Sequence, residues 1–339
     1  MVNALIVNFG GIGDALIELP FLRTIDEVAP HVRYYHTGSP LLEDAAFRGA
    51  LELRSLCGLV PSIWRKFRRE DWNDILAFLQ ANSIDVIINL RTLGPDHDHG
   101  YFEFKRSNTV DVAFWNFDFA ANDDRPVNIR TKIYDLLYRH HLMTGRVKGD
   151  ALRDILPDRA QSFPRHVGIN IHAGNQFKRW PLKKWEEVCC ELTTSGRMLK
   201  VFAGHEAGEK QAAARLVAAI NNHRNGTVSL VSRPDMLSHL AEVRAMQFVV
   251  SVDTWLLHAA TGLGVGAIGL YIVTCPIMWG ADVEYYIPLT SAHLRRCENF
   301  DKRLGFCRNG HTPCPLITKE GDGIDVETVL NHVLTNTSL

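Results

Sequence analysis

The sequence carries almost no excess of charge. Its 339 residues hold 37 Lys and Arg against 38 Asp and Glu, a formal balance of −1. A dedicated nucleic-acid binder needs a basic balance or a strongly basic face, so that class is excluded. There is no internal repeat and no low-complexity tract. The N-terminus has no basic region, and Leu5-Ile6-Val7 is too short for the apolar core of a secretory signal. None of the seven cysteines forms a C-x-x-C pair, and an odd number without a signal points to reduced thiols. Both observations lead us to expect a cytoplasmic chain. A membrane span is missing as well. The stretch 255–273 has no charged residue, but His258, Gly262, Gly264, Gly266 and Gly269 interrupt it. It reads as a buried helix, a glycine turn and a buried strand. The dinucleotide fingerprint is incomplete: from Gly11 the pattern finds Gly13, then Leu16 where the third small residue belongs. That excludes a nicotinamide or flavin site.

What is present is an ordinary globular composition, 46% hydrophobic and 22% charged. The length predicts two domains of roughly 150 residues each. Strands are expected at 4–8, 31–36 and 85–90, with one helix capped by Asp14 and running toward Val28 and another over 72–80. After a polar, Pro-rich segment a second alternation begins. Its strands are expected at 167–172, 198–203, 228–231, 248–252 and 266–271, the last clear one. Its helices are expected at 183–193, 208–220, 234–243 and 254–263, with a final helix at 326–334. The fold class is therefore α/β, with two Rossmann-like doubly wound domains: residues 1–156, a linker at 157–164, residues 165–322, and a C-terminal helix at 323–339. Such sheets bind ligands beyond the carboxyl ends of their strands.

Four segments stand at those ends. The first is Asn8-Phe9-Gly10-Gly11-Ile12-Gly13-Asp14, where glycines allow a tight turn and a carboxylate stands at a helix start. Asp14 serves there either as a plain helix cap or as a base taking a proton from a hydroxyl. The second is the loop after the strand at 167–172, with Asn175, Lys178, Arg179 and then Trp180-Pro181. Adjacent cations there suit a phosphate, unless they are solvated charges beside a packed Trp. The third is Asp253-Thr254-Trp255, delivered by an apolar strand to a helix N-terminus, which favours an anion such as diphosphate. His258 follows on the same face, as a ligand-facing or a core histidine. The fourth is Gly204-His205-Glu206-Ala207-Gly208-Glu209. Glu206 or Glu209 is placed to bind ribose hydroxyls, or both are first-turn helix acids.

Taken together these segments resemble the bacterial ADP-heptose heptosyltransferases of lipopolysaccharide assembly. Gly13-Asp14 through Leu19-Pro20 is similar to the family's opening motif, Lys178-Arg179-Trp180-Pro181 to its K-x-W-P segment, and Asp253-Thr254 through His258 to its D-T-G-x-x-H element. The resemblance implies a GT-B arrangement with the active site in the interdomain cleft, an acceptor-side first domain and a nucleotide-sugar donor-binding second domain. The C-terminal helix would pack back toward the first domain. It also implies an inverting transfer without a metal or cofactor. Asp14 would then be the catalytic base, and Lys178 would contact donor phosphate. Gly13, Asn175, Arg179, Asp253, Thr254, Trp255 and His258 would complete the donor site, with Glu206 or Glu209 at the ribose.

The chain departs from that family in places. Trp255 stands where the family has glycine. After the strand ending at Leu90, Asp96, His97, Asp98 and His99 match no defined metal spacing and read as an acceptor-side loop. The donor is expected to be an ADP-sugar, ADP-heptose above all, and the acceptor a glycan, a protein or a small molecule. The basic run 65–69 is a solvated helix face or a patch for an anionic acceptor or a membrane surface. Cys297, Cys307, His311 and Cys314 are four ligands that suit a structural iron or zinc site, but the cluster lacks a C-x-x-C knuckle and no metal is assigned. A competing reading is a catalytically silent nucleotide-sugar-binding subunit that scaffolds a partner; an epimerase of the same architecture has no positive motif here.

Overall fold

In a computed structural model of the chain, the described residues are 1–8, 11–90, 99–107, 111–116, 127–143, 152–156, 165–204, 206–222, 226–291, 300–301, 306–307 and 323–337. They divide into two compact units, Met1–Asp123 with Ile129–Ala151, and Asp124–Asn128 with Leu152–Leu339.

The first unit holds strands β1 (Val2–Val7), β2 (Val32–His36), β3 (Leu56–Leu59), β4 (Val86–Asn89) and β5 (Ala113–Asn116). Its helices are α1 (Ile12–Val28), α2 (Pro40–Glu43), α3 (Ala45–Leu51), α4 (Trp72–Ala81), α5 (His99–Ser107) and α6 (Ile129–Arg139). The strands form one parallel sheet in the order β3-β2-β1-β4-β5. β4 is buried along its whole length, as its Val-Ile-Ile run demands of a strand covered on both faces. The order reverses between β1 and β4. On one face an aromatic cluster of Trp64, Phe67, Tyr101 and Phe104 fills the core beside Leu5, Val7 and Ile87.

The second unit holds β6 (His166–Asn170), β7 (Met198–Phe202), β8 (Val228–Val231), β9 (Phe248–Val252), β10 (Gly266–Tyr271) and β11 (Tyr286–Thr290). Its helices are α7 (Leu182–Thr194), α8 (Ala207–Asn221), α9 (Met236–Arg244), α10 (Trp255–Gly262), α11 (Pro276–Trp279) and α12 (Val326–Asn336). The sheet order is β11-β10-β9-β6-β7-β8, all parallel, with its reversal between β9 and β6. A two-stranded antiparallel pair, β12 (Phe300–Asp301) with β13 (Phe306–Cys307), completes the described strands.

Several sequence expectations are adjusted. Asp14 is not the residue that caps α1. The N-cap is Gly11, and Asp14 is the third residue of the helix, reaching back to it. The strand at 266–271 is not the last, because β11 pairs with it in register from Ala267↔Tyr286 to Tyr271↔Thr290. Arg65 and Lys66 belong to a short 3₁₀ turn, Ser62–Lys66, that buries Trp64 and leads to buried Phe67. α12 lies on the second unit, where Val329 and Val333 enter the core with α7's Trp185 and Val188. Trp180 and Lys184 both donate to the Ile324 carbonyl just ahead of it, at 3.0 and 3.1 Å. The second unit also takes in Leu152–Leu156, ahead of the expected boundary. Arg244 Nη1 donates to the carbonyls of Arg153 and Leu156, at 3.2 and 2.7 Å. The segment 157–164 lies outside the described residues. No helix among the described residues is long and apolar enough to cross a membrane.

Candidate functional site

In the first unit the sheet reversal puts the turn after β1 at the ligand-binding edge. Asp14 stands in the first turn of α1, half-buried, and its Oδ2 accepts the Gly11 N–H at 2.9 Å. A Cβ on residue 11 would lie 2.8 Å from that oxygen, so glycine is what lets the carboxylate fold over the helix entrance. Gly13 sits in the same turn, half-buried. Asn8 braces the floor of this turn. Its Nδ2 donates to the Gly38 carbonyl at 3.0 Å, and its N–H donates to Thr37 Oγ1 at 3.2 Å. One helical turn beyond Asp14, buried Glu18 faces buried His36 at 3.3 Å. Sequence reasoning did not find this pair, because 18 residues separate its members.

In the second unit the loop after β6 and the start of α10 after β9 meet at the reversal. Lys178 closes a 3₁₀ turn, Gln176–Lys178, whose N-cap Asn175 accepts the Phe177 N–H at 2.9 Å. From there Lys178 Nζ reaches Asp253 Oδ2 at 2.7 Å, and Thr274 Oγ1 donates to the same oxygen at 2.7 Å. Asp253 is 5% exposed, whereas the Lys178 side chain is 29% exposed. Burial alone would raise the Asp253 pKa. The charges of Lys178 and His258 and the hydrogen bonds from Lys178 and Thr274 outweigh it and hold the carboxyl below its ordinary value. A buried carboxylate of this kind repels phosphate. It holds the lysine in place and leaves the ammonium's outer side to a ligand.

The N-terminus of α10 is open beside that lysine. Thr254 is the N-cap, in extended conformation, but its hydroxyl makes no cap hydrogen bond. Asn170 Nδ2 donates to it at 3.0 Å, and Ser251 Oγ lies 3.1 Å away. Asn170, the last residue of β6, and Ser251, one before the end of β9, lie side by side in register. The N–H groups of Trp255 and Leu256 meet no backbone acceptor among the described residues outside regular elements. An N-cap threonine turned away from its helix leaves the first donors to an anion.

The loops after β6 and β7 flank this centre. His172 is buried, with Nδ1 3.8 Å from Glu209 Oε2. Burial, and secondly Arg179, push the His172 pKa below its ordinary value, while Glu209 and Glu206 pull it up. Arg179 itself is exposed, with Nε donating to the Ala173 carbonyl at 2.9 Å. The two glutamates differ sharply. Glu209 is buried, and its carboxylate fills the space where a Cβ on Gly204 would fall. Glu206 is exposed at the N-cap of α8 and makes no cap hydrogen bond. Trp255 is half-buried, with its ring 5.7 Å from His239 of α9. His258 is buried one turn into α10.

The structure thus brings together Asn175, Lys178, Asp253, Thr254 and His258. It adds Asn170, Ser251 and Thr274, which sequence reasoning missed. Their one sequence signal was position, each being at or just past the carboxyl end of a strand. Among the described residues no group of three or more His, Cys, Asp or Glu can hold a metal ion. Cys297, His311 and Cys314, the side chain of Cys307, and the Asp and His residues at 96–98 lie outside the described residues.

Residues 150–304 match the family model of glycosyltransferase family 9 (heptosyltransferase). No curated protein sequence matches the chain. Among solved structures, E. coli heptosyltransferase WaaC with ADP shares 17% identity at a TM-score of 0.63, covering 99% of this chain and 100% of that one. E. coli ADP-heptose LPS heptosyltransferase II shares 13% at a TM-score of 0.64, covering 99% and 98%. A family 9 glycosyltransferase from Veillonella parvula shares 17% at a TM-score of 0.60, covering 99% and 97%. At such identities the structural likeness establishes the fold, which is that of the GT-B heptosyltransferases. Over residues 150–304 the chain is thus similar to glycosyltransferase family 9 (heptosyltransferase), and it shares the fold of the solved heptosyltransferases.

Proposed function

We propose that the chain moves a sugar, heptose, from an ADP-sugar to an acceptor hydroxyl by an inverting displacement that needs no metal. The observation that carries this reading is the Lys178–Asp253–Thr274 network beside the uncapped start of α10. It supplies a fixed ammonium and the two N–H donors of a helix start at one place, the charge and geometry a leaving diphosphate requires. A metal would otherwise provide that charge. The ADP bound to the E. coli neighbour supports adenine as the base.

The displacement breaks the anomeric C–O bond to diphosphate and forms one to the acceptor oxygen on the opposite face. Asp14 takes the acceptor proton as that bond forms. Negative charge gathers on the departing diphosphate, where Lys178 and the N–H groups of Trp255 and Leu256 receive it. Asp253 acts through Lys178 as a positioning residue. Asn175 and Arg179 shape the loop, and His258 adds to the field around Asp253. Exposed Glu206 contacts the ribose hydroxyls, and buried Glu209 supports the loop beneath. Exposed Lys66, Arg68 and Arg69 of the basic run suit an anionic acceptor or a membrane surface.

Incubation with ADP-heptose, ADP-glucose and UDP-glucose against glycan, protein and small-molecule acceptors tests this. ADP-heptose should be consumed with release of ADP, and EDTA should change the rate by less than about twofold. Loss of transfer in EDTA, restored by a divalent ion, would remove the metal-independent mechanism. ADP-sugar binding with no turnover on any acceptor would select the silent subunit, a reading kept open by Trp255 in the place of glycine.

The glutamates separate by variant. Glu206→Ala should weaken ADP binding by roughly tenfold, the loss of one charge-assisted contact, with unchanged thermal stability. Glu209→Ala should lower stability by about 1–3 kcal/mol, because it leaves a hole beneath Gly204 and removes the partner of buried His172. Calorimetric titration and thermal melts of both variants check the assignment, and the reverse pattern would exchange their roles.

A further inference from the structure

The nucleotide reading uses the Trp255 backbone N–H but leaves its side chain without a task, and this inference rests on that reading. α10 begins at the sheet reversal, where the diphosphate belongs, and Trp255 is its first residue. Helical Cβ atoms lean toward the N-terminus, so this side chain lies over the ligand end of the helix rather than down its flank. Its ring meets His239 of α9 at 5.7 Å and 71°, an edge contact that leaves the residue half-buried. His239 is itself fixed, being 1% exposed with Nε2 accepting the Arg233 N–H at 3.2 Å. Arg233 follows β8 at its carboxyl end. The indole is therefore braced toward the β8 side of the reversal.

That is also the side of Glu206. α7 packs on α8, and α9 packs on α10. Right-handed crossovers put these two pairs on opposite faces of the sheet. Glu206, just past β7, and Trp255, just past β9, thus flank the carboxyl end of β6 from opposite faces. A nucleoside leaving the diphosphate toward β7 passes between a carboxylate suited to a ribose diol and an aromatic face suited to a base.

We propose that Trp255 is a donor-affinity residue whose indole stacks on the nucleobase of the ADP-sugar. Stacking is insensitive to hydrogen-bond pattern and adds affinity only when a base is attached. Calorimetric titration of full-length wild type, Trp255→Ala and Trp255→Phe with ADP and with inorganic diphosphate reads it out. Trp255→Ala should weaken ADP by about tenfold or more, and Trp255→Phe by no more than roughly threefold. Diphosphate affinity should be equal in all three proteins. Unchanged or tighter ADP binding by Trp255→Ala would overturn the proposal, as would equal losses for ADP and diphosphate. Failure of the wild type to bind either compound would instead remove the nucleotide reading itself and this inference with it.

Discussion

Asp14→Asn is expected to lower kcat for sugar transfer at least ~10²-fold, the lower range of general-base contributions, with ADP affinity unchanged within about twofold. The choice of asparagine matters. Asp14 Oδ2 accepts the Gly11 N–H, so the side chain also helps to hold the entrance of α1. Removing such a contact with alanine costs about 0.5–2 kcal/mol of stability. Asparagine keeps an oxygen for the Gly11 N–H but cannot accept a proton at neutral pH. If Asp14 only shapes the helix, Asp14→Asn should melt and turn over like the wild type, while Asp14→Ala loses stability. If it is the base, both variants lose turnover to a similar extent and only the alanine variant melts early. Initial rates at saturating donor, with thermal melts of the same preparations, separate the two.

The second large effect is expected at Lys178. Loss of one fixed donor at a site of developing negative charge costs on the order of 10²–10³ in kcat, so Lys178→Ala should fall in that range. It also leaves Asp253, 5% exposed, without its cation. Removing one partner of a buried pair destabilises more than the pair itself stabilises. With Lys178 partly in solvent, the expected cost is about 1–3 kcal/mol. The double variant Lys178→Ala with Asp253→Asn should recover most of that stability, because no buried charge is stranded, and none of the rate. Recovery of rate with stability would reduce Lys178 to a structural partner of Asp253.

How far the sequence foretold this molecule differs between its halves. In the second unit, Val-rich runs such as 248–252 are too apolar for any place but a sheet covered on both faces, and glycines or caps punctuate the helices between them. In the first unit, β5, α5 and α6 mix polar and aromatic residues over short spans, and β3 is only a four-residue Leu-Cys-Gly-Leu run, so no period stands out. β11 escaped because Tyr286–Thr290 includes Pro288, which suits only a strand with a free edge. The candidate site shows the same limit. Asp14, Lys178 and Asp253 could be singled out one at a time, since each follows a strand. Their relations could not. That Lys178 grips Asp253 across 75 positions, with Thr274 on the same oxygen, is a product of strand order. Glu206 and Glu209, three residues apart, were inseparable until one proved buried and the other exposed.

The most direct test of the account is the anomeric configuration of the product. Transfer from ADP-heptose by the full-length protein, followed by proton NMR of the isolated glycoside, should show ADP released in equal amount to product. The anomeric configuration should be opposite to that of the donor. A product that keeps the donor's configuration, or transfer without release of ADP, would contradict it.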